Sequence, residues 1–289
     1  MIISVASGKG GTGKTTISTN LAISLGAQCT LLDCDVEEPN AHLFLHPRID
    51  GSETVTTFVP EVDEERCTFC RKCADICRYR AIAVVGKKVL VFPQLCHSCG
   101  GCLVVCPEEA IQEGSRELGV VEWGEGAGVA IIQGRLRVGE AMSPPLIKKV
   151  RSYADPDPSR TIIIDAPPGT SCPVIAAMRG VDYVLLVTEP TPFGLHDLQL
   201  AVEAVKVLGI PCGLVINRAD MGDGQVREYA RQEGLPVLLE IPFDRRIAEA
   251  YSRGLTLVEE MPEWRQRFRE LFGQITMEII AENLRRESP

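Results

Sequence analysis

A mainly parallel α/β domain interrupted by a smaller α+β insertion is the fold that three observations predict. Short apolar runs alternate with helical stretches at Ile2–Ala6, Cys29–Asp33, Thr161–Ile164, Tyr183–Val187, Gly213–Ile216 and Val237–Ile241. That alternation implies βαβ units. Residues 59–115 break the rhythm, with their own turns and a different composition, and split the α/β domain into 1–58 and 116–289. Eight of the 12 cysteines crowd into this stretch, between Cys67 and Cys106, where clustering points to metal ligation before disulfides.

Composition narrows the function. Apolar residues make up 45% and charged residues 24% of the 289, the balance of a soluble globular protein with a sizeable core. The net charge of -9, from 30 Lys and Arg against 39 Asp and Glu, disfavours general binding to nucleic acid or anionic lipid. No run approaches the ~20 apolar residues that span a bilayer. Met1–Ala6 reads as buried strand rather than a targeting peptide, so a cytoplasmic location is expected.

Taken in order, the first strand runs into Gly8-Lys9-Gly10-Gly11-Thr12-Gly13-Lys14-Thr15, a full match to G-x-x-x-x-G-K-[ST], and then into a helix near Lys14–Leu25. This P-loop needs glycines so that backbone N–H groups can turn onto phosphate oxygens at a helix N-terminus. Lys14 is expected at the β- and γ-phosphates and the Thr15 hydroxyl on Mg²⁺. The second strand ends in Asp33-Cys34-Asp35, and Ile162-Ile163-Ile164-Asp165 ends a third, followed by Ala166-Pro167-Pro168-Gly169. Open α/β sheets bind ligands at the carboxyl ends of their strands, so Asp33, Asp35 and Asp165 converge as a Mg²⁺ site. A strand-end Asp can also simply cap a turn. In the insertion, Ala81–Val85 and Val89–Phe92 flank a Gly-Lys-Lys turn; Gly124–Gly128 and Ser143–Pro145 are expected as joints to the α/β domain. Near the end, Trp264, Phe268, Leu271, Phe272, Ile275, Ile279 and Leu284 form an apolar helical stripe whose polar face mixes Arg with Glu. A membrane-surface helix would favour a net basic face, so this one is expected to pack on the core.

Lys9, with Gly10 to Thr16, resembles the deviant phosphate loop of the MinD/Mrp-type ATPases, which include ParA, ArsA and the nitrogenase iron protein. DCDVEEPN, DAPPG and VINR follow in the expected order. The resemblance implies a Mg²⁺-dependent ATP hydrolase that dimerises through its nucleotide site, with Lys9 crossing to the partner's nucleotide. It assigns Asp35 to orienting or activating water, Asp165 to the Mg²⁺ site and Asn217 to reading adenine. An Asn in that position can also be a turn former.

The cysteines fall in two runs, Cys67-x2-Cys70-x2-Cys73-x3-Cys77 and Cys96-x2-Cys99-x2-Cys102-x3-Cys106, a repeat offset by 29 residues. Both have the spacing of bacterial ferredoxins, in which the fourth Cys of each run ligates the other cluster. One [4Fe–4S] cluster is therefore assigned to Cys67, Cys70, Cys73 and Cys106, the other to Cys96, Cys99, Cys102 and Cys77. The insertion is thus expected to be ferredoxin-like. Arg78 stands where the pattern has Pro after Cys77, whereas Pro107 follows Cys106 as expected. Structural zinc is the competing reading, but zinc sites favour paired C-x2-C knuckles over four-Cys runs.

The whole chain resembles MinD-superfamily ATPases carrying an inserted ferredoxin domain. The principal reading is an ATPase whose nucleotide and dimer state controls electron transfer to a redox partner. The alternatives are an iron–sulfur cluster carrier or assembly ATPase of the Mrp type, and a positioning ATPase of the MinD/ParA kind. Against a carrier, no spare C-x-x-C remains beyond the eight ligands. Cys29, Cys34 and Cys212 read as small buried hydrophobes. Cys172 lies seven residues after Asp165, the offset of one cluster ligand in the nitrogenase iron protein, but nothing matches that protein's other ligand.

Overall fold

The computed structural model describes residues 1–154, 157 and 159–287, with Arg286 and Glu287 described by their backbone alone. Strand β1 (Ile2–Ala6) leads through the P-loop into helix α1 (Lys14–Leu25), then β2 (Cys29–Asp33) and the short α2 (His42–Leu45). The chain next makes a long strand β3 (Arg48–Val62), enters the cysteine-rich stretch through α3 (Lys72–Ile76), the hairpin β4 (Ile82–Val85) and β5 (Lys88–Val91), and α4 (Gly101–Val104), and returns along β6 (Ile111–Gly126). Strand β7 (Val129–Leu136) and α5 (Pro144–Arg151) follow, then β8 (Thr161–Asp165), α6 (Cys172–Met178), β9 (Tyr183–Thr188), α7 (Pro192–Leu208), β10 (Cys212–Asn217), α8 (Gln225–Glu233) and β11 (Val237–Ile241). Helices α9 (Arg245–Ser252), α10 (Leu257–Glu260) and α11 (Trp264–Glu287) close the chain.

Among the described residues the main sheet has nine strands in the order β11-β10-β9-β1-β8-β2-β7-β6-β3. The seven from β11 to β7 are parallel, and β6 and β3 add an antiparallel edge. The expected mainly parallel α/β architecture is therefore present. The inner strands of the parallel part are largely apolar on both faces because helices cover both sides, whereas the edge strand β11 exposes Val237 and Glu240. Alternate residues of β8 divide accordingly: Ile162 and Ile164 pack toward α6, α7 and α8, while Ile163 packs toward α1, α10 and α11.

The antiparallel edge differs from the expected joints. Gly124–Gly128 is no linker: Gly124 and Gly126 lie within β6, and Ala127 and Gly128, both at positive φ, turn the chain into β7. A Cβ on Gly124 would stand 2.0 Å from the Arg48 carbonyl oxygen, so glycine is needed for close cross-strand approach. Ser143–Pro145 begins α5, where Pro is at home because the first helical N–H has no intrahelical partner. β3 and β6 pair from Arg48↔Glu125 to Val62↔Ile111, with register shifts between Ile49 and Gly51 and between Val55 and Thr56, passing positions 58 and 116 as one ribbon with residues 63–110 at its end. Small apolar clusters there, around Val59 and Ala81 and around Ile82 and Ile111, are separate from the two cores on the sheet.

Helix α11 packs on α1 as its stripe predicts. Trp264, Phe268, Leu271 and Ile275 are buried, Phe272 and Ile279 are partly so, and Leu284 at the distal end is exposed. Arg265 Nη1 and Arg269 Nε donate to the Ile23 and Ser24 carbonyls at 3.0 and 3.1 Å, satisfying the end of α1. Among the described residues, no helix is long and apolar enough to cross a membrane. Phe268 is fully buried, so Phe268→Ala is expected to cost ~3–5 kcal/mol in urea-melt stability. A loss below 1 kcal/mol, on the order of a surface substitution, would contradict this packing.

Candidate functional site: a phosphate loop and two cysteine quartets

The central strands bring the phosphate-binding sequence to one edge of the sheet. Gly11 and Gly13 take positive φ of 78° and 99°, conformations that glycine adopts without steric cost. At Gly13 a Cβ would also sit 2.6 Å from Asn217 Nδ2, which donates to the Thr12 carbonyl at 2.9 Å. At Gly8 a Cβ would lie 2.0 Å from the Asp197 carbonyl oxygen, so the loop is seated directly on α7. Gly10, Gly11, Gly13, Lys14, Thr15 and Thr16 line an open cavity, together with Asp35 and Asn217. Thr12 is buried behind it.

The three carboxylates have different surroundings. Asp33 and Asp165 are register partners at the ends of β2 and β8. Asp33 is fully buried, with Oδ1 accepting from Asp35 N at 3.1 Å and Oδ2 from Asn40 N and Ala41 N at 3.1 and 3.0 Å. It braces the loop after β2, and burial followed by Asp165 pushes its carboxyl well above the usual range. Both oxygens of buried Asp165 lack a hydrogen-bond partner. Burial raises its carboxyl too, opposed by the Thr15 hydroxyl, Lys14 and Ser18 alongside. Orphaned carboxylate oxygens beside a threonine hydroxyl suit a hard divalent cation such as Mg²⁺. Asp35 opens onto the cavity, and burial pushes it up to about 7 despite Lys14, with Asp165, Glu38 and Glu37 adding.

This gives a pH prediction. The folded pKa of Asp35 lies above its ordinary 3.8, so between that value and about 7 the folded chain holds a proton that the unfolded chain has lost. Stability of the nucleotide-free protein should therefore fall as pH rises through that window. Melting curves from pH 5 to 8 should show this slope shallower in Asp35→Asn; an identical slope in both contradicts it.

Lys9 turns away from the cavity. Its Nζ meets Glu189 Oε1 at 2.5 Å, and Arg218 Nη1 meets Glu189 Oε2 at 3.2 Å. Sequence reasoning missed Glu189. It also missed the wall made by Arg218, Pro242, Phe243 and Tyr251, although Pro242 and Phe243 directly follow a parallel strand end, where ligands collect.

At the end of the β3–β6 ribbon, the eight cysteines separate into two quartets. Cys67, Cys70, Cys73 and Cys106 line one cavity, with Val62, Val89 and Ile111. Cys77, Cys96, Cys99 and Cys102 line another, with Phe58, Ile82 and Gly100. Each thus takes three thiols from one run and the fourth from the other. Backbone amides of Ala81, Ala110 and Ser98 donate to the sulfurs of Cys77, Cys106 and Cys96 at 3.2, 3.3 and 3.4 Å. Burial raises the thiols of Cys73 and Cys102, and the neighbouring thiols of their own quartets add to it. Four thiols around an apolar cavity, with amides aimed at sulfur, fit an iron–sulfur cluster. Among the described residues, no three His, Cys, Asp or Glu side chains converge on a single-ion site. Cys29 and Cys34 are buried, Cys212 is partly buried and Cys172 is exposed at the start of α6.

Known proteins resemble this chain over most of its length. An uncharacterised protein of Methanocaldococcus jannaschii is 30% identical over 91% of this chain and 97% of its own length. The iron–sulfur cluster carrier protein of Pyrococcus abyssi is 26% identical over 89% of this chain and 78% of its own. In fold, the septum site-determining protein MinD of Pyrococcus horikoshii, solved with Mg-ADP, aligns with a TM-score of 0.58 at 23% identity, covering 93% of both chains. The CobQ/CobB/MinD/ParA nucleotide-binding domain matches residues 3–258, and the chain belongs to that family of P-loop ATPases.

Proposed function

We propose that this protein is a Mg²⁺-dependent ATP hydrolase that holds two [4Fe–4S] clusters and couples its nucleotide and dimer state to electron transfer. The observation that carries this reading is the sorting of eight cysteines into two quartets, each with a backbone amide donating to sulfur. Sites with four thiols against apolar side chains suit resident clusters, which supply one-electron redox chemistry when bound. At the other site, Lys14 and the P-loop amides would hold the phosphates, while Thr15 and Asp165 would hold Mg²⁺. Asp35, at the cavity edge, would position the attacking water. Lys9 serves a partner subunit's nucleotide in this reading, which requires it to exchange Glu189 for phosphate.

A second reading, an iron–sulfur cluster carrier or assembly ATPase, has more direct support from the relatives, several of which bear the name iron–sulfur cluster carrier protein. The MinD-like fold is equally compatible with a positioning ATPase. Anaerobically reconstituted protein, incubated with an apo-ferredoxin acceptor with and without ATP, separates the first two. Retention of iron, with a midpoint potential that differs between ADP and a non-hydrolysable ATP analogue, is expected for electron transfer. ATP-dependent passage of iron to the acceptor overturns it in favour of the carrier. A difference of ~59 mV in a one-electron midpoint would mean tenfold tighter binding of one nucleotide state to one redox state.

A further inference from the structure

The two quartets are unequal in their charged surroundings. Arg116, on β6, reaches the second quartet from the side of the ATPase body. Its Nη2 donates to the Cys96 carbonyl at 3.4 Å and to Glu140 Oε1 at 3.0 Å, and its Nη1 pairs with the other Glu140 oxygen. Both side chains are enclosed, at 9% exposure for Arg116 and 1% for Glu140. Glu140 is fixed in turn by the amides of Ala141 and Met142, at 3.1 and 3.3 Å, just before α5. Arg116 Nε is buried without a partner. Burial disfavours the charged guanidinium, the Cys96 thiol favours it, and the Arg137 cation opposes it. Ser98 ties the same loop to the ribbon, donating to the Phe58 carbonyl at 2.7 Å and accepting from Thr57 at 2.8 Å.

Among the described residues the first quartet has no buried counterpart, since the Arg66–Glu109 pair beside Cys67 is exposed. Its cations, Arg71 and Lys72, line the cavity mouth but are exposed, where water screens them. Among the described residues no side chain donates to the Cys67 carbonyl, the position in the repeat that matches Cys96.

We propose that Arg116, oriented by Glu140, is a positioning residue that makes the two cluster sites electrostatically unequal. It favours the reduced state at Cys77, Cys96, Cys99 and Cys102, so that an electron entering the pair comes to rest beside the ATPase body. The inference rests on the reading of the quartets as [4Fe–4S] sites. One-electron reduction adds one negative charge, delivered by an external low-potential donor, without bond cleavage. A fixed cation held in a poorly screened interior lowers the cost of that charge. The Arg116–Glu140 pair is neutral overall, but Arg116 is the member that touches the cysteine loop, through the Cys96 carbonyl. The pair acts as an oriented dipole that solvent cannot reorient.

The test is an anaerobic dithionite titration followed by EPR on reconstituted full-length protein. Arg116→Gln/Glu140→Gln removes both charges together, leaving no buried ion unpaired. It keeps an amide oxygen for the Ala141 and Met142 amides. One of the two midpoints should fall by about 59 mV, a tenfold change in the ratio of oxidised to reduced sites, while the other stays. Glu140→Gln alone leaves the cation unopposed and should move the same midpoint upward. Opposite shifts at one site are not what a mere packing defect produces, and the single variant decides the matter if the double variant fails to fold. A full iron complement with both midpoints unmoved, or with both moved equally, overturns the role of Arg116 alone. Wild-type protein that takes up no iron overturns the cluster reading, and this proposal with it.

Discussion

Asp165→Asn is expected to lower ATP turnover by ~10²–10³-fold, the scale of losing one group that stabilises transition-state charge. The same change should make the nucleotide-free protein more stable near pH 8. Asp165 is buried with both oxygens unpartnered, beside Asp33 in register and close to Asp35. Ionising it there costs desolvation and repulsion, opposed only in part by Thr15, Lys14 and Ser18. An amide removes the charge while keeping the shape. A gain of about 1 kcal/mol would appear as a rise of ~2–4 °C in melting temperature. Steady-state ATPase assays and thermal melts on one preparation check both halves. Lost stability would show that Asp165 is structural, like Asp33 with its three amide donors; unchanged turnover would remove it from the Mg²⁺ site. Such opposed effects are common where a fold maintains uncompensated charge for function.

Pairwise Cys→Ala variants should follow the quartets rather than the sequence runs. Cys106→Ala is expected to remove about half of the iron bound after reconstitution, since a cubane lacking one thiolate is poorly held. Adding Cys70→Ala should cost almost nothing further, because both thiols line the first cavity. Adding Cys99→Ala instead should strip nearly all the iron, because Cys99 lines the second. Cys77→Ala should behave in mirror image: indifferent to Cys99→Ala and additive with Cys70→Ala. Iron and acid-labile sulfide counts on each pair decide the matter. If Cys106 proves redundant with Cys99 and additive with Cys70, ligation follows the runs and the crossed arrangement is wrong. A mononuclear zinc at either quartet would appear as zinc without sulfide.

Much of the nucleotide site was legible because its information is local. The P-loop packs its glycines, lysine and threonine into one turn, and the strand–loop–helix context lies within the same residues. Asp165 could be read because a parallel strand delivers its last residue to a known edge of the sheet, whereas Asn217 was picked out only by the resemblance to the ATPase family. The ribbon of β3 and β6 was not read. Its partners lie about fifty to eighty residues apart, and its glycines, taken alone, look like a linker. Only the opposing strand shows that Gly124 is required by the nearby Arg48 carbonyl. The different duties of Asp33, Asp35 and Asp165 were likewise invisible, since all three are strand-end carboxylates in the sequence. Amide donors from residues 35, 40 and 41 engage one, while another keeps bare oxygens.

The family, the phosphate loop, the parallel sheet and the ferredoxin spacing of eight cysteines are all legible in the residue order alone. These depend on residue types at short, fixed intervals, where chain connectivity does most of the positioning. Tertiary structure decided that Lys9 rests on Glu189 and that Arg116 and Glu140 enclose an ion pair beside one cysteine quartet. It also decided how the antiparallel ribbon carries the cysteine-rich stretch. Those are pairings between charges and strands distant in the chain. Their energies depend on burial and orientation, and neither exists until the sheet has brought the partners together.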